Sequence, residues 1–157
     1  MNNEMVIRQS TVDDIRPIYE LLQKTFDISY KDAYPQEAIN RFKERYSEDF
    51  ILELATEGYT VVAEYDGRII GTGNLHENSI RQVYISPSFQ NLGAGKLIVG
   101  ELERKAVEKK LDSVEIGASI ISREFWNARG FVLDKEEAFP IENGQELRFF
   151  RMSKKML

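Results

Sequence analysis

The chain has no cysteine, one histidine and four prolines among its 157 residues, and no apolar run approaches the roughly 18 residues a membrane-spanning helix needs. Each absence excludes something. Without cysteine there is no disulfide framework, thiol nucleophile or thiolate metal site, so any chemistry must use oxygen and nitrogen. The same absence agrees with a reducing compartment. The opening MNNEMVIRQS lacks a basic start followed by an apolar signal core, so the expected location is cytoplasmic, with no membrane association. The formal charge of -5 argues against a nucleic-acid binder, which needs a positive field, and slightly favours a cationic partner.

There are no repeats, low-complexity tracts or linkers rich in proline or serine, and 42% of the residues are hydrophobic. A single domain over residues 1–157 is expected, large enough to bury a core. Met5 to Arg8 reads as a strand. Ser10 or Thr11 then caps a helix whose apolar residues Ile15, Ile18, Leu21, Leu22 and Phe26 recur at helical spacing. A second helix through Ala38, Ile39, Phe42 and Tyr46 stops before Ser47. At Tyr59 the period changes to that of a strand, and Asp66-Gly67 predicts a two-residue hairpin turn. Ser79 to Ile85 is the next strand, with Ile80 and Tyr84 on one face, Val83 and Ile85 on the other, and Pro87 ending it. Then come a helix from Gly95 to about Lys110, a strand at Ser113 to Gly117, a short helix around Arg123 to Ala128, and strands near Phe131 and Leu147 to Met152.

The stretch VYISPSFQNLGAG, Val83 to Gly95, carries the most chemistry. A helix start leaves about four backbone N–H groups without partners and bears the positive end of the helix dipole, so it binds anions wherever the backbone can come close. Gly93, Ala94 and Gly95 permit that approach. A self-sufficient helix would place an acid in its first turn; here the first acid is Glu101, and Lys96 adds positive charge. At the other end Arg104, Lys105, Lys109 and Lys110 complement the negative pole. A Walker A loop is excluded, because Gln90 stands where its first glycine belongs and Leu97 replaces the magnesium-binding hydroxyl. A dinucleotide fingerprint fails at Ile98, with no surrounding βαβ repeat. A glycine turn that merely connects strand to helix stays open on spacing alone.

Gln90, Asn91, Leu92, Gly93, Ala94 and Gly95, behind a strand ending in Pro, resemble the acetyl-CoA motif Arg/Gln-x-x-Gly-x-Gly/Ala of the GCN5-related N-acetyltransferase family. REFWNARGF is similar to that family's later Phe-Tyr-x-x-x-Gly-Phe segment, with Phe125, Trp126, Gly130 and Phe131 in register, and the element order matches over nearly the whole chain. Ala118-Ser119 and the closing RFFRMSKKML are similar to a YafP-like bacterial branch. The resemblance implies an α/β (α+β) fold: a mixed, mostly antiparallel, twisted sheet with a central splay, flanked by about four helices. Acetyl-CoA would enter the splay between the Ser79 to Ile85 and Ser113 to Gly117 strands. Its pantetheine would pair with the backbone of Val83, Tyr84 and Ile85, and its pyrophosphate would sit on the N–H groups from Leu92 to Lys96. The implied reaction is direct transfer of acetyl to a primary amine of a small molecule or peptide, without a metal; an acyl-CoA-binding module without catalysis is the alternative. A homodimer is compatible with either.

Trp126 departs from the family pattern, since it stands where the family often has its proton-donating Tyr and an indole N–H does not usefully release a proton near neutral pH. It is expected to position CoA or to anchor the last helix. Tyr84 is expected either to act through its hydroxyl or to pack in the sheet. Phe26, Tyr30 and Tyr34 fall in the region that covers the acceptor pocket in similar proteins, to bind substrate or to pack the two helices. His76 and Glu115 are weaker candidate bases.

Overall fold

The computed structural model describes residues 4–156, so residues 1–3 and 157 of the expected domain lie outside the described residues. The chain opens with β1 (Met5–Gln9), then α1 (Ile15–Ser29), α2 (Gln36–Arg45) and α3 (Glu48–Glu57). A meander of β2 (Tyr59–Tyr65), β3 (Arg68–His76) and β4 (Ser79–Ile85) leads to α4 (Ala94–Glu108). Next are β5 (Ser113–Ala118), α5 (Arg123–Ala128), β6 (Val132–Pro140) and β7 (Glu146–Lys155). All strands join one sheet in the order β1-β2-β3-β4-β5-β7-β6, antiparallel except where β4 meets β5.

Three helices, not the expected two, separate β1 from β2, so five α-helices flank the sheet. The extra one, α3, carries its own start signal: the Ser47 side chain accepts from the Phe50 N–H at 3.2 Å, and Glu48 and Asp49 occupy the first turn. Ser47 both follows the end of α2 and caps α3, which is why it reads as a break.

Helices α1 to α3 cover one face of the sheet, burying Ile18, Leu22 and Phe26 of α1 with Ile51 and Leu54 of α3 over Val62. Helices α4 and α5 cover the other face, with Ile98, Leu102 and Trp126 packed on Val61, Ile116 and Met152. Each fully buried aliphatic or aromatic side chain contributes on the order of 1.5–3 kcal/mol. Gly73 lets α4 approach closely, since a Cβ there would lie 2.5 Å from Ile98 Cγ2.

The entry to α1 is locked by Asp14. The Arg8 guanidinium donates to both its carboxylate oxygens at 2.8 and 3.0 Å, and the Thr11 N–H donates to Oδ2 at 2.7 Å. Arg8, first, and the Thr11 N–H hold the Asp14 carboxyl below the usual carboxylate range. A depressed folded-state pKa contributes stability above the unfolded value of about 4 and loses it as pH falls through the folded value. Asp14→Asn is therefore expected to cost about 1–3 kcal/mol at pH 7. Urea unfolding at pH 7 and in acid checks this: the gap from wild type should narrow below about pH 4.

Two irregularities shape the middle of the sheet. In β4, Tyr84 pairs with Thr72 and Arg81 with Asn74, so Gln82 and Val83 together oppose the single residue Gly73, and Gln82 has φ 60°. This bulge inserts one residue and reverses the alternation. Ile80 accordingly shares the α4 face with Val83 and Ile85, while Tyr84 turns toward α1, correcting the expected pairing of Ile80 with Tyr84. The second irregularity is the junction of β4 and β5, whose one bridge pair is Ser79 with Glu115. Beyond it the strands diverge, so the expected splay is present.

Candidate active site

The start of α4 has neither a side-chain cap nor an acid of its own. Gly93 is the N-cap, with φ 91°. The first helical bond runs from the Leu97 N–H to the Gly93 carbonyl at 3.2 Å, so helix geometry supplies no acceptor for the N–H groups of Ala94, Gly95 and Lys96. A Cβ on Gly93 would meet nothing within 4 Å, whereas one on Gly95 would lie 3.0 Å from the Phe125 ring. The cradle is thus open on one side and walled by Phe125 on the other. Asn91 before it is left-handed at φ 66°; Asn91, Leu92 and Lys96 are exposed. Glu101 does not neutralise the start, being held by Arg104 at 2.7 Å and Tyr59 at 2.8 Å.

Gln90, the first residue of the motif, is exposed but folds back on its own loop. Its amide donates to the Ile85 carbonyl at 3.2 Å and to Ser29 Oγ at 3.4 Å, fixing the loop between β4 and α4 against the end of α1. That engages the Ile85 carbonyl and leaves the β4 edge at Val83 and Tyr84, beyond the Ser79 pairing, facing the gap.

Tyr84 projects into a cluster of aromatic rings on the α1 side. Its centroid is 5.0 Å from Phe26, 5.9 Å from Tyr46 and 6.4 Å from Tyr30. Phe26 is the hub, fully buried, while Tyr30 and Tyr34 are 5% and 6% exposed. Burial pushes the Tyr30 hydroxyl up to about 12 and the Tyr84 hydroxyl well above its ordinary value, and raises Tyr34 and Tyr46 as well. These phenols stay protonated at neutral pH: they can donate a hydrogen bond but cannot act as bases.

Trp126 is 5% exposed and packs edge-on between Phe125 and Phe131, with centroids 5.2 and 5.0 Å apart. Phe125 is thus the aromatic that reaches the cradle, which the sequence signalled only through its register with the Phe-Tyr segment. His76 lies at the closed end of the splay, where it pairs across the hairpin with Ser79, and its Nε2 is 3.6 Å from Glu57. Glu115 is at the same closed end, with a carboxylate oxygen 3.8 Å from Arg151. The structure therefore gathers Tyr84, Phe26, Tyr30 and Tyr34 on the α1 face and the glycine loop at the open end, and leaves His76 apart from both.

Fold and site define a protein that offers an uncapped helix start beside a splayed strand pair. Residues 30–156 match the Acetyltransferase (GNAT) domain, and the chain belongs to that family, whose chemistry is acetyl transfer from acetyl-CoA. Solved structures share the fold. A GCN5-related N-acetyltransferase from Rhodopseudomonas palustris is 21% identical with a TM-score of 0.86, covering 99% of this chain and 98% of its own. The PaiA N-acetyltransferase from Thermoplasma acidophilum, in complex with coenzyme A, is 20% identical with a TM-score of 0.78, covering 97% and 99%. YncA, a putative acetyltransferase from Salmonella typhimurium with its cofactor acetyl-CoA, is 16% identical with a TM-score of 0.71, covering 98% and 95%. Among the described residues no helix is long and apolar enough to cross a membrane.

Proposed function

We propose that this protein transfers the acetyl group of acetyl-CoA directly to a primary amine of a small molecule or a peptide. The observation that carries this reading is the acid-free, uncapped start of α4 at the open end of the β4–β5 splay. N–H groups from Leu92 to Lys96 would hold the pyrophosphate, with Lys96 adding charge. The free edge of β4 at Val83 and Tyr84 would take the pantetheine amides as an added strand. PaiA and YncA, similar in fold, are described with coenzyme A and acetyl-CoA.

In the reaction the amine nitrogen attacks the acetyl carbonyl carbon, the C–S bond breaks, the nitrogen loses a proton and the sulfur gains one. Tyr84, held neutral by burial, is assigned to donate a hydrogen bond to the developing thiolate. None of the clustered phenols can take the amine's proton, and Glu115 lies at the closed end of the splay beside Arg151, which leaves solvent for that step. A cytoplasmic site of action agrees with the cysteine-free composition.

Trp126 favours a second reading, an acyl-CoA-binding module without turnover, because a buried indole stands at the usual donor position. Thermal shift with acetyl-CoA, combined with release of CoA thiol across polyamines, aminoglycosides, amino acids and peptides, separates the two. The enzyme shows both stabilisation and amine-dependent thiol release; the module shows stabilisation alone. Trp126→Tyr is expected to keep or raise turnover, while Trp126→Ala lowers it and costs about 3–5 kcal/mol of stability. Unchanged turnover in both variants would remove Trp126 from the thiol side.

A further inference from the structure

Above the Ser79–Glu115 pair, nothing in the β-ladder joins β4 to β5. On the α1 face the Tyr34 side chain bridges the two halves of the sheet. Tyr34, in the corner between α1 and α2, accepts a hydrogen bond from the Ile120 N–H at 2.9 Å and donates one to the Arg148 carbonyl at 3.3 Å. Ile120 belongs to the loop that follows β5, and Arg148 to β7, so a single hydroxyl ties the helical corner to both segments beyond the gap. Its ring continues the wall of Tyr30 and Phe42, at 5.2 and 5.3 Å between centroids.

The same junction has weaker supports. Ile141 and Leu147, flanking the tip of the β6–β7 hairpin, pack into the aromatic cluster. At the surface Asn143 donates to Glu37 at 2.8 Å, and Arg41 stands 3.9 Å from Glu142. Exposed polar pairs of this kind contribute little. The Tyr34 bonds, at a side chain only 6% exposed, are the ones whose loss leaves backbone groups poorly solvated.

The α4 side of the gap is where the donor's pyrophosphate is placed, so the acceptor approaches from the α1 side. That is the side Tyr34 closes. We propose that Tyr34 is a clasp over the acceptor side of the β4–β5 gap, keeping water from the thioester until an amine enters. Tyr34 is a positioning residue in this role: it touches no reacting atom and acts through the Ile120 loop and β7. The reaction it suppresses is hydrolysis, in which a water oxygen attacks the acetyl carbonyl carbon, the C–S bond breaks, acetate leaves and the thiolate takes a proton.

This inference rests on the acetyl-CoA reading, and the experiment keeps the two apart. Wild type and Tyr34→Phe are incubated with acetyl-CoA in an amine-free buffer, thiol and acetate release are followed, and acetyl-CoA affinity is measured by calorimetry. Tyr34→Phe keeps the ring and removes both bonds. It is expected to raise hydrolysis at least fivefold with affinity within twofold of wild type, and to speed amide hydrogen exchange at Ile120. Leu147→Ala, which loosens β7 from the cluster without touching Tyr34, is expected to raise hydrolysis in the same direction. A purely structural tyrosine would lower the melting temperature and leave hydrolysis unchanged. Wild-type hydrolysis in both variants, with acetyl-CoA still bound, overturns the clasp alone; a wild-type protein that binds no acetyl-CoA overturns the donor assignment and the clasp with it.

Discussion

Lys96→Glu is expected to weaken acetyl-CoA binding roughly thirtyfold while leaving the ligand-free protein as stable as before or slightly more so. The opposite signs follow from one physical fact. The first turn of α4 has no acid and no side-chain cap, so an acid placed there complements the helix dipole, a gain of about 0.3–1 kcal/mol. With the diphosphate on the N–H groups of this turn, as proposed, the same carboxylate would face it. At a separation of about 8 Å in a water-like dielectric each unit pair is worth about 0.5 kcal/mol, so a swing of two charge units against two phosphate charges amounts to about 2 kcal/mol. Lys96 is exposed and makes no ion pair with Glu101, which is engaged with Arg104 and Tyr59, so its replacement breaks no folded-state contact of that kind. Calorimetry and thermal unfolding on the one variant check both signs. A glycine turn that merely connects strand to helix would give the stability gain without the loss of affinity.

Phe26→Ala is expected to cost about 3–5 kcal/mol, lowering the melting temperature by roughly 10 °C. Phe26 has no exposed surface and touches four other rings: Tyr30, Phe42, Tyr46 and Tyr84, at centroid distances of 5.5, 5.5, 5.8 and 5.0 Å. Removing it leaves a cavity that α1, packed on α2, α3 and the sheet, cannot collapse to fill. An acceptor-contacting Phe26 would behave differently, raising the KM for the amine with little change in unfolding. Chemical denaturation alongside steady-state kinetics separates the two, and the geometry places Phe26 with the core.

What could be read from the chain before folding follows the range of the interactions. The Asp66-Gly67 turn was legible because its two left-handed residues, φ 52° and 75°, are an adjacent pair that favours that conformation. The α4 start was legible for the same reason, its glycines and missing acids lying within one turn. The third helix was missed although Ser47, Glu48 and Asp49 signal it, because the cap falls at the end of α2 and reads as a terminator. The β4 bulge has no local marker: Gln82 takes φ 60° without being glycine, asparagine or aspartate, and only pairing with β3 reveals that Tyr84 leaves the face of Ile80. Tyr34 is the extreme case. Its partners lie 86 and 114 residues away, so its aromatic character was visible and its hydrogen bonds were not.

The most direct test of the α4 start and the β4–β5 gap as the donor site is calorimetric titration of the wild-type protein with acetyl-CoA and with pantetheine, which has the thiol arm but no diphosphate. If the backbone N–H groups from Leu92 to Lys96 hold the diphosphate, acetyl-CoA binds and pantetheine binds at least 100-fold more weakly, a difference of about 2.7 kcal/mol. Equal affinities, or no binding of acetyl-CoA at all, would contradict it.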